Sequence, residues 1–201
     1  MRRGLGDWEI VVYPVENTGH PRACMGVLSF RRKSETQSIK LPSIGADSLP
    51  MIASSDLNRV YLISCVSKKL AQPAPAAELY QSALFQKSRA FVDSRLSAQD
   101  RWFILSAKYH LVRPSDVIAP YEVTLNRMRA GERQLWAATV LAQLKPELAQ
   151  VNEVIFLAGK KYRESLEGAI LNGGCSVSVP MAKLRIGYQL QWLSQSLTEV
   201  A

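Results

Sequence analysis

The sequence predicts an α/β fold, a mostly parallel sheet of about four strands flanked by helices, with an N-terminal antiparallel β appendage. Three observations support this. Short apolar runs at residues 60–64, 102–106, 154–158 and 175–179 alternate with longer segments of helical character. Those runs are continuous rather than alternating, as expected for parallel strands covered on both faces. The first forty residues differ: runs at 8–13 and 25–30, rich in β-branched and aromatic residues, flank the turn-forming Glu16-Asn17-Thr18-Gly19 with no helical pattern between them.

Taken in order, residues 1–41 read as a β-hairpin appendage, with a third short strand at 38–41 and Arg31-Arg32-Lys33 at a turn. Residues 42–57, with Pro42, Gly45, Pro50 and several serines, read as a linker. The α/β domain occupies 58–201. Its helices are expected at 76–96, 131–148, 162–171 and 186–197, each following or leading into one of the four strands. Residues 109–125 show no clear period, and a segment that long in a compact domain is usually functional. Arg113-Pro114 and Ala119-Pro120 stiffen it.

The totals narrow the function classes. At 47% hydrophobic the chain can bury a full core. The longest apolar runs are far too short to span a bilayer, so no membrane partner is expected. Three widely spaced cysteines, Cys24, Cys65 and Cys175, argue against a disulfide framework and a metal site, and favour a cytoplasmic location. The net charge is +8, and it is unevenly distributed: residues 1–58 carry seven Lys/Arg against six Asp/Glu, and 59–201 carry eighteen against eleven. The basic excess lies in the α/β domain and suits nucleic acid or nucleotides.

Ligands of open α/β sheets bind outside the carboxyl ends of the strands. Each predicted strand delivers a cation there: Lys68 and Lys69 after the first, Lys108 and Arg113 after the second, Lys160 and Lys161 after the third, Lys183 and Arg185 after the fourth. This predicts a basic crevice for an anion, with solvated loop lysines as the bland alternative. Cys65 beside two lysines reads either as an activated thiolate or as a small buried hydrophobe. Ser67 can donate to phosphate from a backbone nest, and the first helix, near Tyr80 and Ser82, points its N-terminus at the same place. His110 is the one titrating imidazole near the crevice; Asp116 and Glu122 are acids that can serve as general base or hold a substrate amine, though Asp116 can equally cap a turn. The loop lacks the glycines of a P-loop, which rejects an NTPase reading, and no cofactor is expected.

Several runs together resemble an uncharacterised bacterial and phage domain family over about residues 60–195. They are Cys65-x-Ser67-Lys68-Lys69, Pro73-Ala74-Pro75-Ala76, Leu79-Tyr80-x-Ser82-x-Leu84-Phe85, the run from Trp102 to Tyr109, Leu111-Val112-x-Pro114, Ala158-Gly159-x-x-Tyr162 and Ile186-Gly187-x-Gln189-Leu190-x-Trp192. His110 departs from that family, which usually has glycine there. Ser106, Tyr109, Leu111, Pro114, Asp116, Ile118, Pro120 and Tyr121 also match a pattern of the peroxide stress protein YaaA family. That likeness implies a nucleic-acid-binding protein with a basic cleft, linked to limiting oxidative DNA damage. Cys65, Lys69, Tyr80 and Ser82 are more weakly similar to the catalytic domain of archaeosine synthase, which modifies a deazaguanine base in tRNA; the spacing differs, and Ser64 stands where that family has proline.

The expectation from all of this is a nucleic-acid-associated protein, an enzyme acting on a base or nucleotide of DNA or RNA. Cys65, Ser67, Lys69, Lys108, Asp116 and Glu122 are its candidate catalytic residues. Lys68, Tyr80, Ser82, Tyr109, Arg113, Tyr121, Lys160 and Lys161 are its candidate binding residues. The alternatives are a non-catalytic DNA-binding module using the β appendage, and an enzyme for a free nucleotide or phosphorylated metabolite.

Overall fold

The computed structural model describes residues 58–198 together with the backbone of two short strands nearer the N-terminus. The chain divides into two compact units, Met1–Pro50 and Met51–Ala201. In the first, β1 (Trp8–Val11) pairs antiparallel with β2 (Ser29–Arg32), Trp8 opposite Arg32 and Ile10 opposite Phe30. Arg31 and Arg32 therefore belong to a strand, not to the turn expected there. The strand expected at 38–41 and the linker at 42–57 fall outside the described residues.

The second unit is an α/β domain built on β3 (Arg59–Ser64), β4 (Ala74–Pro75), α1 (Ala76–Leu79), α2 (Ala83–Asp93), β5 (Arg101–Ser106), β6 (His110–Val112), β7 (Val117–Ile118), α3 (Ala130–Leu144), β8 (Glu153–Leu157), α4 (Lys160–Arg163), α5 (Glu167–Asn172), β9 (Ser176–Ser178) and α6 (Ile186–Thr198). The main sheet has five strands in the order β6-β5-β3-β8-β9. The β5, β3, β8 and β9 strands are mutually parallel, and β6 folds back antiparallel on β5. Central β3 is buried on both faces: Val60, Tyr61, Leu62 and Ile63 all sit in the core. That is the pattern its continuous apolar run implies.

The five-stranded sheet exceeds the expected four because the segment after β5 turns back at once. Ser106 pairs with His110, so the reversal takes three residues, and His110 adopts a left-handed φ of 64°. This is the position where the resembling family usually has glycine, and glycine enters that region without strain. A second departure is the first helix, which is broken. Tyr80 and Ser82 are extended, and Ser82 restarts the chain as the N-cap of α2, its hydroxyl accepting from the Phe85 N–H at 3.2 Å. The extended link lets Lys69 bridge to Tyr80, with the Leu70 N–H donating to Leu79 O at 2.9 Å and the Gln81 N–H to Lys68 O at 2.8 Å. The helix expected at 131–148 is α-helical only to Leu144, after which Pro146 tightens it into a 3₁₀ turn over Lys145–Leu148. The helix expected at 162–171 is split into α4 and α5.

Candidate functional site

The four parallel strands direct their carboxyl ends to one edge of the sheet, and a cleft of 610 Å³ opens there. Five stretches line it: Cys65 to Lys69 after β3, Ser82 to Leu84 at the start of α2, Glu122 to Thr124 with Asn126 and Arg127 in the segment before α3, Tyr162 on α4, and Ile186 with Leu190 on α6. Such a volume suits a small organic ligand or one unit of a polymer.

Beneath the cleft lies a chain of buried hydroxyls. The Tyr121 hydroxyl sits 2.7 Å from Ser106 Oγ and 2.9 Å from the Tyr80 hydroxyl. Ser106 Oγ also accepts from the Tyr109 N–H at 2.9 Å, and the carbonyl of Ser106 accepts from Trp136 Nε1 at 2.8 Å. Cys65, whose N–H is held by Leu105 O at 3.0 Å, places Sγ 3.2 Å from the Tyr162 hydroxyl. Burial pushes the Tyr80 hydroxyl up to about 12, against the pull of its Tyr121 bond. Burial first, and Cys65 second, raise Tyr121 and Tyr162 well above the ordinary tyrosine value. All three phenols therefore stay protonated near neutral pH and act as neutral donors and acceptors.

Lys69 stands over this layer. Its ammonium lies 4.3 Å from the Tyr121 ring centroid and 5.9 Å from that of Tyr80, and donates to Ser67 O at 3.3 Å. Two aromatic faces hold the cation without neutralising it. Lys68 and Arg127 are exposed on the lining. Among the described residues, neither they nor Lys69 form an ion pair. At Ala83 and Leu84 the cleft also meets the start of α2, whose first N–H groups have no acceptor within the helix. The opposite character comes from Val66, Leu84, Val123, Ile186 and Leu190, which form an apolar wall.

The structure gathers some of the expected residues and separates others. Cys65, Ser67, Lys68, Lys69, Ser82 and Glu122 line the cleft, and Tyr80 and Tyr121 lie under it. Lys108, with its ammonium 5.0 Å from the Tyr109 ring centroid, and Tyr109, packed edge-on against Tyr121 at 5.4 Å, stand outside the lining. Arg113 pairs with Glu147 at 3.4 Å, and Asp116 closes a turn by accepting from the Arg113 N–H at 2.8 Å; both lie outside the lining. Lys160 and Lys161 begin α4, and Lys161 Nζ donates to Asn126 O at 3.2 Å, bracing the lining from behind. Arg127, Asn126, Thr124 and Tyr162 are also on the lining and were not among the expected site residues. Tyr162 was visible in the Gly159-x-x-Tyr162 motif; Arg127 and Asn126 carried no signal of their own. Among the described residues, no three His, Cys, Asp or Glu side chains converge as metal ligands. No helix among them is long and apolar enough to cross a membrane.

Comparison with known proteins places this framework. The model of a family of unknown function, DUF6884, matches residues 60–195, which include the whole cleft. The chain belongs to that family. An uncharacterized protein, YfjM, of Bacillus subtilis is 30% identical over 153 residues, covering 71% of this chain and 97% of its own length. A UPF0246 protein of Cellvibrio japonicus, in the YaaA family, is 33% identical over 104 residues. That match covers 48% of this chain and 40% of the relative, so the two share a part rather than a whole architecture. No solved structure matches the chain. The weaker similarity to archaeosine synthase finds no support in these relatives.

Proposed function

We propose that this DUF6884 domain binds nucleic acid through the cleft, taking one nucleotide unit into it. The observation that carries this is the combination, in one cavity, of three cations that make no ion pair among the described residues and several apolar side chains. Lys68, Arg127 and the first N–H groups of α2 suit a phosphate. Val66, Leu84, Val123 and Leu190 suit the face of a base. In its fuller form the reading is an enzyme acting on that base, with Cys65 and Tyr162 at the floor as the groups nearest the reacting atoms.

Binding of single- and double-stranded DNA and RNA by the full chain, measured across salt, tests it. Affinity falls with rising salt, and Lys68→Ala with Arg127→Ala lowers the slope of log K on log salt by about 1–2, as loss of one or two phosphate contacts requires. Salt-independent binding, or a slope untouched by both changes, sinks the reading. A second reading rests on Arg31 and Arg32, which β2 carries on a two-stranded ribbon. Ribbons of that kind enter grooves of duplex DNA. If deletion of residues 1–41 abolishes affinity while the cleft variants leave it intact, that second reading replaces the first.

A further inference from the structure

The cleft contains one charge of the wrong sign for a phosphate site. Glu122 shares the lining with Lys68, Lys69 and Arg127, and among the described residues it makes no ion pair. An exposed carboxylate inside an anion-binding cleft weakens phosphate binding by like-charge repulsion unless it meets donors on the ligand.

The residues on either side of it are anchored. Tyr121, immediately before it, is tied through its hydroxyl to Ser106 and Tyr80. Asn126, four residues on, is held by Lys161 Nζ at its carbonyl and by Thr124 Oγ1 at its N–H, 3.3 Å away. The acid is thus presented from a braced segment beside the apolar wall where the base would lie.

Resting on the nucleotide reading above, we propose that Glu122 reads the base and selects guanine. A carboxylate offers two coplanar acceptors. Guanine presents two adjacent donors, N1–H and the N2 amino group, on one edge, with O6 beyond them. Adenine and cytosine set one amino group beside a bare ring nitrogen, whose lone pair would oppose the carboxylate. Thymine and uracil flank one N–H with two carbonyls. Asn126, in the same lining, carries the amide donor that O6 needs. Reading the Watson–Crick edge requires an unpaired base, so the ligand is a single strand or an extrahelical nucleotide.

The test uses the full chain and single-stranded deoxythymidine nonamers carrying one central guanine, hypoxanthine, adenine or cytosine. Hypoxanthine differs from guanine in lacking the N2 amino group. The guanine nonamer is expected to bind about tenfold more tightly than the hypoxanthine one, the worth of a hydrogen bond to a charged group. Glu122→Gln closes that gap to about threefold or less while hypoxanthine binding persists. Equal affinity of wild type for all four nonamers overturns the guanine assignment, as does a preference that survives Glu122→Gln; either leaves nucleic-acid binding standing. Failure of wild type to bind any nonamer overturns both readings. The guanine–hypoxanthine comparison decides on wild type alone, so a poorly folding variant does not blunt it.

Discussion

The two ends of the sheet treat charge in opposite ways. At the amino ends of β3 and β5, charges are paired. Arg59 Nη2 meets Asp100 Oδ2 at 2.9 Å, Arg101 meets Glu147 at 2.8 Å, and the Asp100 carboxylate accepts from the N–H groups of Arg59 at 2.8 Å and Ser97 at 2.9 Å. At the carboxyl ends, Lys68, Lys69 and Arg127 stand around an open cleft and, among the described residues, make no ion pair. A buried carboxylate with all its acceptor sites filled, as at Asp100, serves stability. Unpaired exposed charges leave interaction energy for something outside the chain. Both ends grow from the same strands, so the contrast arises in the loops flanking each strand rather than in the sheet itself.

The sharpest way to break the comparison is at the paired end. The Asp100 side chain is fully buried, and Asp100→Ala leaves Arg59 and two backbone N–H groups without their acceptor. A loss of about 3 kcal/mol is expected by denaturant unfolding, as for removing one member of a buried pair. Lys68→Ala at the open end, by contrast, should stay within about 0.5 kcal/mol. The pH dependence follows from the same group. Burial alone would raise the Asp100 pKa, but the hydrogen bonds from Ser97 and Arg59 outweigh it and hold it below the ordinary value. A depressed folded pKa contributes stability that is present above the unfolded value of about 4 and is lost as pH falls through the folded one. Wild type should therefore lose stability below about pH 4 more steeply than Asp100→Asn. Parallel acid profiles for the two proteins would count against this account.

A smaller effect is expected beneath the cleft. Tyr121→Phe keeps the ring that supports Lys69 but removes the hydroxyl joining Ser106 to Tyr80. Loss of that buried bridge should cost about 2 kcal/mol in thermal or denaturant unfolding. Tyr121 then resembles the paired end in its energetics although it lies at the open one. A loss under about 0.5 kcal/mol would mean that Ser106 and Tyr80 find other partners readily.

The sheet was legible in the sequence because its strands are buried on both faces, and Val60 to Ile63 or Phe103 to Leu105 spell this directly. The loop Cys65 to Lys69 was legible as part of the sheet's carboxyl edge, where the cleft opens, because it comes after a central strand. The features that the sequence concealed depend on tertiary contacts. The break between α1 and α2 has neither glycine nor proline to announce it; it is set by the pairing of Lys69 with Tyr80. Tyr162 reaches the cleft through its edge-on packing against Trp136, 5.7 Å between centroids, and Arg127 through the short turn at Leu125–Arg127. Of the cations expected at the carboxyl ends, only Lys68 and Lys69 reach the lining; Lys161 turns to a backbone carbonyl, and Arg113 is carried by the antiparallel β6 back to the amino end of β5, where it meets Glu147 beside Arg101.

The smallest effect concerns the tight reversal that separates the two kinds of end on β5. His110 holds φ at 64°, where a side chain crowds the following carbonyl and glycine does not. Its imidazole is absent from the cleft lining, so its distinguishing feature is conformational. His110→Gly relieves the strain but gives the unfolded chain more freedom, and the two partly cancel. A net gain of about 0.5–1 kcal/mol in unfolding free energy is expected, with nucleic-acid affinity unchanged. Suppose instead that His110→Gly stabilises the fold and also abolishes binding. The imidazole would then contribute to the ligand site, and the boundary between structural and binding charge at this edge would have to be drawn one residue turn further along β6.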